Sequence, residues 1–205
     1  MIDIEQARRY YEGADAIHDF DHVLRVLALA ERLAREEGAD LEIVRAATLL
    51  HDVARGQGDR LSANHAHAGA EFAREVLAGQ PPEKVEAVAH AVAAHRFRSG
   101  PDPQTLEARV LHDADKLDAI GAIGVARAFA FGGYEGQRLW ADVPAGYRES
   151  QATRHEHTPV HEYQIKLSKI KGRLLTESAR KLAEGRHTFM VGFFAQLEQE
   201  VRGLA

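Results

Sequence analysis

The chain has 205 residues, of which 45% are hydrophobic and 28% are charged, and its formal net charge is −5. This composition is typical of a soluble globular protein, and no apolar run approaches the roughly 20 residues that a membrane-spanning helix needs. The acidic balance argues against broad binding to nucleic acid, since that affinity comes mainly from neutralised phosphates. The sequence contains no cysteine, which excludes disulfides, thiolate nucleophiles and metal sites built on sulfur.

The length suits one large domain, and we expect residues 1–205 to form it. Within that domain we expect a core over about 15–130, an irregular stretch over about 132–160 and C-terminal helices over about 160–201. The acidic start from Met1 to Glu5 lacks the basic and apolar regions of a secretory signal peptide. A cytoplasmic location is therefore expected.

Apolar residues recur at intervals of three and four along most of the chain, which predicts helices. Asp19 or Asp21 is expected to cap the second helix, which runs to about Glu37 and stops at Gly38. Asp40 is expected to cap the third helix. The predicted helices cover roughly residues 3–12, 20–37, 41–55, 64–77, 83–95, 106–131, 160–175 and 177–201. No strand pattern accompanies them, so the predicted fold class is all-α, a single helical bundle.

Residues 132–160 show no sustained periodicity, and such a stretch inside a compact domain is usually functional or disordered. The segment could close over a substrate, with Trp140 or Tyr134 stacking on a base, or it could be a disordered connector. Three histidines in and beside it are expected to be loop residues rather than metal ligands: His155, His157 and His161.

Four scattered residues suggest a metal site: His22, His51, Asp52 and Asp115. The adjacent His51 and Asp52 follow the apolar run 46–50, where a core helix would continue with apolar residues. Two imidazoles and two carboxylates that converge would suit a divalent ion with nitrogen and oxygen ligands. Asp113 competes with Asp115 for the last position, because residues two apart face different sides of a helix.

Three segments around these residues resemble one known family. Residues 18–26 read HDFDHVLRV, residues 50–53 read LHDV, and residues 113–121 read DADKLDAIG. They are similar to the HDxxHxxRV, HD and DADxLDAIG motifs of the HD-domain superfamily of metal-dependent phosphohydrolases, in a bacterial single-domain subgroup. Residues 166–187 also resemble the C-terminal helices of that subgroup, so the likeness covers nearly the whole chain.

The resemblance implies an all-α HD domain with His22, His51, Asp52 and Asp115 as ligands of one divalent ion. Mn²⁺ or Mg²⁺ is favoured, and Co²⁺, Ni²⁺, Fe²⁺ or Zn²⁺ also fits. It further implies hydrolysis of a phosphoester or phosphoanhydride in a small phosphorylated substrate, for which a nucleotide is favoured. Cleavage of a nucleoside triphosphate to monophosphate and pyrophosphate is one activity that fits. No membrane or nucleic-acid partner is expected, and a homodimer is compatible with the sequence.

Further roles follow for residues near the matched motifs. Asp52 could also polarise the attacking water through its second oxygen, and Arg25 and Lys116 are the candidate catalytic cations. The candidate substrate-binding residues are His18, Arg25, His95, Lys116, Lys166 and Lys169.

The extra histidines leave a second interpretation open. Some HD proteins bind two metals, and here the additional ligands could be His65 or His67 with His90 or His95. His90 and His95 are about 140° apart around a helix, so both can hardly serve one site. The alternatives are a two-metal phosphodiesterase, an iron-dependent oxygenase on the same scaffold, or a non-catalytic metal-containing module that binds nucleotide.

Overall fold

The computed structural model describes residues 1–12, 20–56, 65–96, 100–148, 153 and 155–205, without the side chains of residues 55 and 56. Over these ranges the regular secondary structure is entirely helical, so the all-α prediction is confirmed. No helix in the described ranges has both the length and the apolar character that a membrane crossing requires.

The chain divides into two compact units. The first contains Met1–Lys116 and Leu175–Ala179, and the second contains Leu117–Leu174 and Arg180–Ala205. The α-helices, in chain order, are α1 Ile4–Arg8, α2 Phe20–Glu37, α3 Leu41–Leu50, α4 His65–Val76, α5 Pro82–Ala94, α6 Leu106–Asp118, α7 Gly121–Tyr134, α8 Pro159–Ile165 and α9 Glu177–Val201.

In the first unit, α3 packs against both α2 and α5, and α4 packs against α5. Asp40 caps α3 as predicted, since its carboxylate accepts hydrogen bonds from the amides of Glu42 and Ile43. The apolar run that ends α3 is almost wholly buried. The polar pair that follows it, His51 and Asp52, therefore lies at the centre of the unit rather than at its surface.

The start of α2 agrees with the predicted range of 20–37 and excludes one of the two candidate caps. The helix begins at Phe20, so Asp21 lies in its first turn and is not its cap. Asp19, the other predicted cap, lies outside the described residues. The end of α2 agrees with the prediction, because Gly38 has a φ of +79° that ends the helix in the left-handed conformation.

Four predicted helices are shorter in the structure than the periodicity indicates. The helix expected over 3–12 ends at Arg8, and a 3₁₀ turn covers Arg9–Tyr11. α3 stops at Leu50, and a separate 3₁₀ turn covers Val53–Gly56. The helix expected over 106–131 is two helices, because Gly121 has a φ of +77°, which breaks the helical path. The helix expected over 160–175 ends at Ile165, where two 3₁₀ turns, Leu167–Lys169 and Lys171–Arg173, replace it.

In the second unit, α9 contacts α8 through an aromatic pair. Met190 is fully buried, and Phe194 stacks on Tyr163 of α8 with ring centroids 4.0 Å apart. Close packing explains the glycine that begins α7, because a Cβ added at Gly121 would lie 3.0 Å from the side chain of Arg186. Between α7 and α8 the described residues form no helix or strand.

Candidate metal centre

Helices of the first unit bring the four predicted metal ligands together. His22 lies in the first turns of α2, His51 and Asp52 follow the last residue of α3, and Asp115 lies near the end of α6. The first three are at most 4% exposed, which is unusual for polar side chains without a ligand or a dense hydrogen-bond network.

The facing atoms are close enough for one cation. Nε2 of His22 lies 3.5 Å from Oδ1 of Asp115 and 3.7 Å from Oδ2 of Asp52. Nε2 of His51 lies 3.6 Å from the same Asp52 oxygen. A set of ligand atoms from His22, His51 and Asp52 lies within 4.8 Å of one another, which fits a divalent ion with nitrogen and oxygen ligands.

The orientation of His51 also fits metal binding. Its Nδ1–H donates to the carbonyl oxygen of Thr48 at 2.7 Å, so the lone pair is on Nε2, which faces the carboxylates. Among the described residues this buried Nε2 has no hydrogen-bond partner. Burial lowers the pKa of His51 to about 4, despite the opposing effect of Asp52, so the ring is neutral at physiological pH. A neutral imidazole is the form that binds a metal.

Asp115 is ionised in this setting. Burial opposes ionisation of its carboxyl group, but neighbouring Lys116 and His22 hold its pKa well below the usual range. Nζ of Lys116 donates to Oδ2 of Asp115 at 2.8 Å and to the carbonyl oxygen of His95 at 2.9 Å. Lys116 thus fixes the direction of Asp115 and joins α6 to the end of α5.

The structure distinguishes Asp113 from Asp115. Asp113 is fully buried, and one of its oxygens accepts hydrogen bonds from the amide and the hydroxyl of Thr176 at 2.7 and 2.8 Å. It also accepts from the amide of Leu175 at 2.9 Å and from Nδ1 of His112 at 2.9 Å. Asp113 therefore holds the segment that begins α9, whereas Asp115 faces His22.

A second group of ligand atoms shares Asp52 with the first. It consists of Asp52, His65 and His95, again within 4.8 Å of one another. Nε2 of His95 lies 3.5 Å from Oδ1 of Asp52, which is the oxygen that does not face His51. Nδ1–H of His95 donates to the carbonyl oxygen of Val92 at 2.6 Å. His95 thus repeats the geometry of His51, since each ring follows a helix end and is oriented by the carbonyl three residues earlier.

Among the four histidines considered for a second ion, the structure brings only His65 and His95 to the centre within the described residues. His67 has a side chain that is 70% exposed, and Nε2 of His90 accepts a hydrogen bond from the amide of Gln104 at 3.1 Å. His51 and His95 each directly follow the last residue of a helix, and this shared position is a sequence signal that both belong to one site. The signal can be used only where the two helix ends are located correctly.

The remaining predicted site residues have different surroundings. Arg25 is half-buried on α2, one turn after His22. Lys166 and Lys169 belong to the second unit, where Lys166 pairs with Glu162. His18 lies outside the described residues.

The residues expected near a substrate base also lie in the second unit. Trp140 is half-buried beneath Arg202, whose guanidinium carbon is 5.6 Å from the ring centroid, and Tyr134 is 62% exposed. A base-stacking role for either residue stays a prediction.

The expectation that all three C-terminal histidines are loop residues is wrong for His161. This residue lies in α8 and is 3% exposed. His157 does precede the helix, and its ring links the hydroxyl of Tyr147, at 2.9 Å, to Glu162, at 3.1 Å. Burial opposes ionisation of Glu162, but the hydrogen bonds from His157 and Lys166 lower its pKa to about 2.

Comparison with known proteins gives a consistent pattern. The family model described as HD domain matches residues 19–120, a range that contains both groups of ligands. The YpgQ protein of Bacillus subtilis is 36% identical over 194 residues, which cover 91% of this chain and 86% of YpgQ. Ribonuclease Y of Chloroflexus aurantiacus is 35% identical over 96 residues, which cover 47% of this chain but only 17% of that enzyme.

Solved structures agree with the sequence comparison. The crystal structure of Bacillus subtilis YpgQ in complex with ADP superposes with a TM-score of 0.74 at 32% identity, covering 99% of this chain and 100% of YpgQ. The structure of a Bacillus thuringiensis HD-superfamily hydrolase has a TM-score of 0.70 at 29% identity and covers 97% of this chain and 94% of its own.

Proposed function

Because this chain belongs to the HD-domain family, we propose that it is a metal-dependent phosphohydrolase whose substrate is a nucleotide. The observation that supports the activity most directly is the buried cluster of His22, His51 and Asp52, with Asp115 facing His22 at 3.5 Å. The ADP bound to the solved YpgQ structure supports a nucleotide as the substrate class.

The four side chains at this point would hold the ion, and their protonation states suit that role. His51 is neutral and offers a lone pair, whereas Asp115 is ionised and held in place by Lys116. A bound divalent ion lowers the pKa of a water and neutralises charge on phosphoryl oxygens. Asp52 has a second oxygen directed towards His95, and we assign to it the acceptance of a proton from the attacking water.

Cleavage of a nucleoside triphosphate to monophosphate and pyrophosphate is the reaction we propose. The test is an assay of the purified protein with nucleoside triphosphates, diphosphates and sugar phosphates, with Mn²⁺, Mg²⁺, Co²⁺ or Ni²⁺ supplied separately. Phosphate and pyrophosphate are quantified independently, so that the assay identifies the bond that is cleaved.

Two variants and one control test the site. Asp52→Asn and Asp115→Asn are expected to lose Mn²⁺ binding and to reduce kcat by more than about 100-fold, because each removes a charged ligand. Asp102→Asn changes an exposed carboxylate and is expected to behave like the parent. If both site variants bind metal and hydrolyse substrate as the parent does, the proposed site is wrong. If the parent binds nucleotide but releases neither product with any metal, the chain is a non-catalytic binding module.

A two-metal phosphodiesterase is the second candidate, and the shared Asp52 favours it. The two groups of ligands, His22 and His51 with Asp52 and His65 and His95 with Asp52, share the carboxylate of Asp52. His51 faces one of its oxygens and His95 faces the other, as a carboxylate that bridges two ions requires. Metal stoichiometry distinguishes the candidates. Two ions per chain, falling to one in His65→Ala and His95→Ala, would support the phosphodiesterase. One ion per chain, unchanged in these variants, would support the single-metal enzyme.

A further inference from the structure

The second unit contains a basic cavity that no residue of the metal centre lines. Its volume is about 310 Å³, and the two 3₁₀ turns after α8 form one wall with Lys169 and Lys171. One face of α9 forms the other wall with Arg180, Glu184 and His187, which follow one another at successive turns of the helix. All of these residues belong to the second unit, whereas the candidate metal ligands belong to the first.

The charges that line this cavity favour an anion. Among the described residues that line it, Glu184 is the one carboxylate, and it is already paired with Lys171 at 2.6 Å. Lys169 is exposed and has no carboxylate within ion-pair distance among the described residues. Arg180 adds a third positive charge, in a chain whose net charge is −5. The local excess of positive charge is therefore not a general property of the surface.

Two details indicate a defined site rather than a diffuse patch. Nε–H of Arg180 donates to the carbonyl oxygen of Leu174 at 3.0 Å, which fixes the guanidinium at the cavity wall. Nδ1 of His187 is shielded from solvent and has no hydrogen-bond partner in the described part of the chain. A buried polar atom without a partner costs free energy unless a ligand or water satisfies it.

We infer that this cavity is an accessory binding site for a small phosphate-bearing anion. Guanidinium and ammonium groups bind phosphate oxygens through charge-assisted hydrogen bonds. The volume is at the small end of ligand sites, about 300 Å³, and suits a compact polyanion. The inference does not depend on the proposed hydrolysis, because no residue of the metal centre lines the cavity.

The experiment is a calorimetric titration of the full chain with inorganic pyrophosphate. Lys169→Gln with Arg180→Gln removes two cations from the cavity. The matched control, Arg173→Gln with Lys181→Gln, removes two exposed cations from neighbouring positions that do not line it. Both double variants change the net charge equally, so a general charge effect would weaken binding in both.

The cavity variant is expected to bind pyrophosphate about tenfold or more weakly, and the control less than about twofold more weakly. Asp115→Asn should leave this binding event unchanged, because that residue belongs to the metal centre. If the double variant does not fold, Lys169→Gln alone is expected to weaken binding about threefold. Equal affinity in all variants, equal weakening in the control, or no binding by the parent would overturn the inference. Tighter binding of an RNA oligonucleotide through the same residues would also overturn it, in favour of an extended nucleic-acid surface.

Discussion

Replacing Asp113 with alanine is expected to destabilise the protein strongly while leaving metal binding intact. The side chain is fully buried and accepts hydrogen bonds from the amide of Leu175 and from both the amide and the hydroxyl of Thr176. These donors precede α9, so the variant would leave the start of that helix without its partner on α6.

The size of the effect follows from the donors that lose their partner. Each buried donor left unsatisfied costs about 1–3 kcal/mol. The two donors of Thr176 and Nδ1 of His112 are buried, whereas the amide of Leu175 is partly buried and can reach water. We therefore expect a loss of about 3–5 kcal/mol in the free energy of unfolding. For a chain of 205 residues this corresponds to a decrease in Tm of roughly 10 °C.

Calorimetry and urea unfolding measure this loss, and Asp102→Ala at an exposed position provides the matched control. Mn²⁺ titration below the unfolding transition tests the second half of the prediction. A decrease in Tm of under about 2 °C would refute the reasoning about buried donors. Loss of metal binding in Asp113→Ala, with metal binding retained in Asp115→Ala, would reverse the assignment of the two carboxylates.

Three further predictions concern single residues. Lys116→Met is expected to weaken Mn²⁺ binding about 10- to 100-fold, because Asp115 loses the donor that orients it. A calorimetric titration measures this affinity. A higher KM with unchanged metal affinity would instead indicate that Lys116 contacts the substrate. The pKa of Glu162 is about 2 in the folded chain and about 4.5 in the unfolded chain, so its contribution to stability is complete above pH 4.5 and lost as the pH falls towards 2. The difference in unfolding free energy between the parent and Glu162→Gln should accordingly shrink between pH 5 and pH 3, and a constant difference would contradict this. Gly121→Ala should lower the free energy of unfolding, measured in urea, by about 1–2 kcal/mol, since its φ is +77° and a neighbouring side chain lies 3.0 Å from the added Cβ. The control is Gly185→Ala in α9, where an added Cβ meets no neighbour, and this variant should not destabilise the protein.

The helical class could be read from the sequence because the apolar spacing of three and four depends only on neighbouring residues. Helix lengths were predicted less well. The periodicity continues through Gly121 and beyond Ile165, but the chain leaves the helical path at both places. At Gly121 the backbone has a φ of +77°, and the residue lies against Arg186, which is distant in the chain.

The sequence by itself determined the helical fold class and the four candidate metal ligands, because both depend on local spacing and on motifs of a few residues. Only the tertiary structure decided that Asp113 faces the start of α9, that Lys116 orients Asp115, and that His65 and His95 join Asp52. The physical reason is that each of these arrangements depends on where separate helices end in space. If a side chain moves by one position along a helix, it turns by about 100° around the helix axis and reaches different partners.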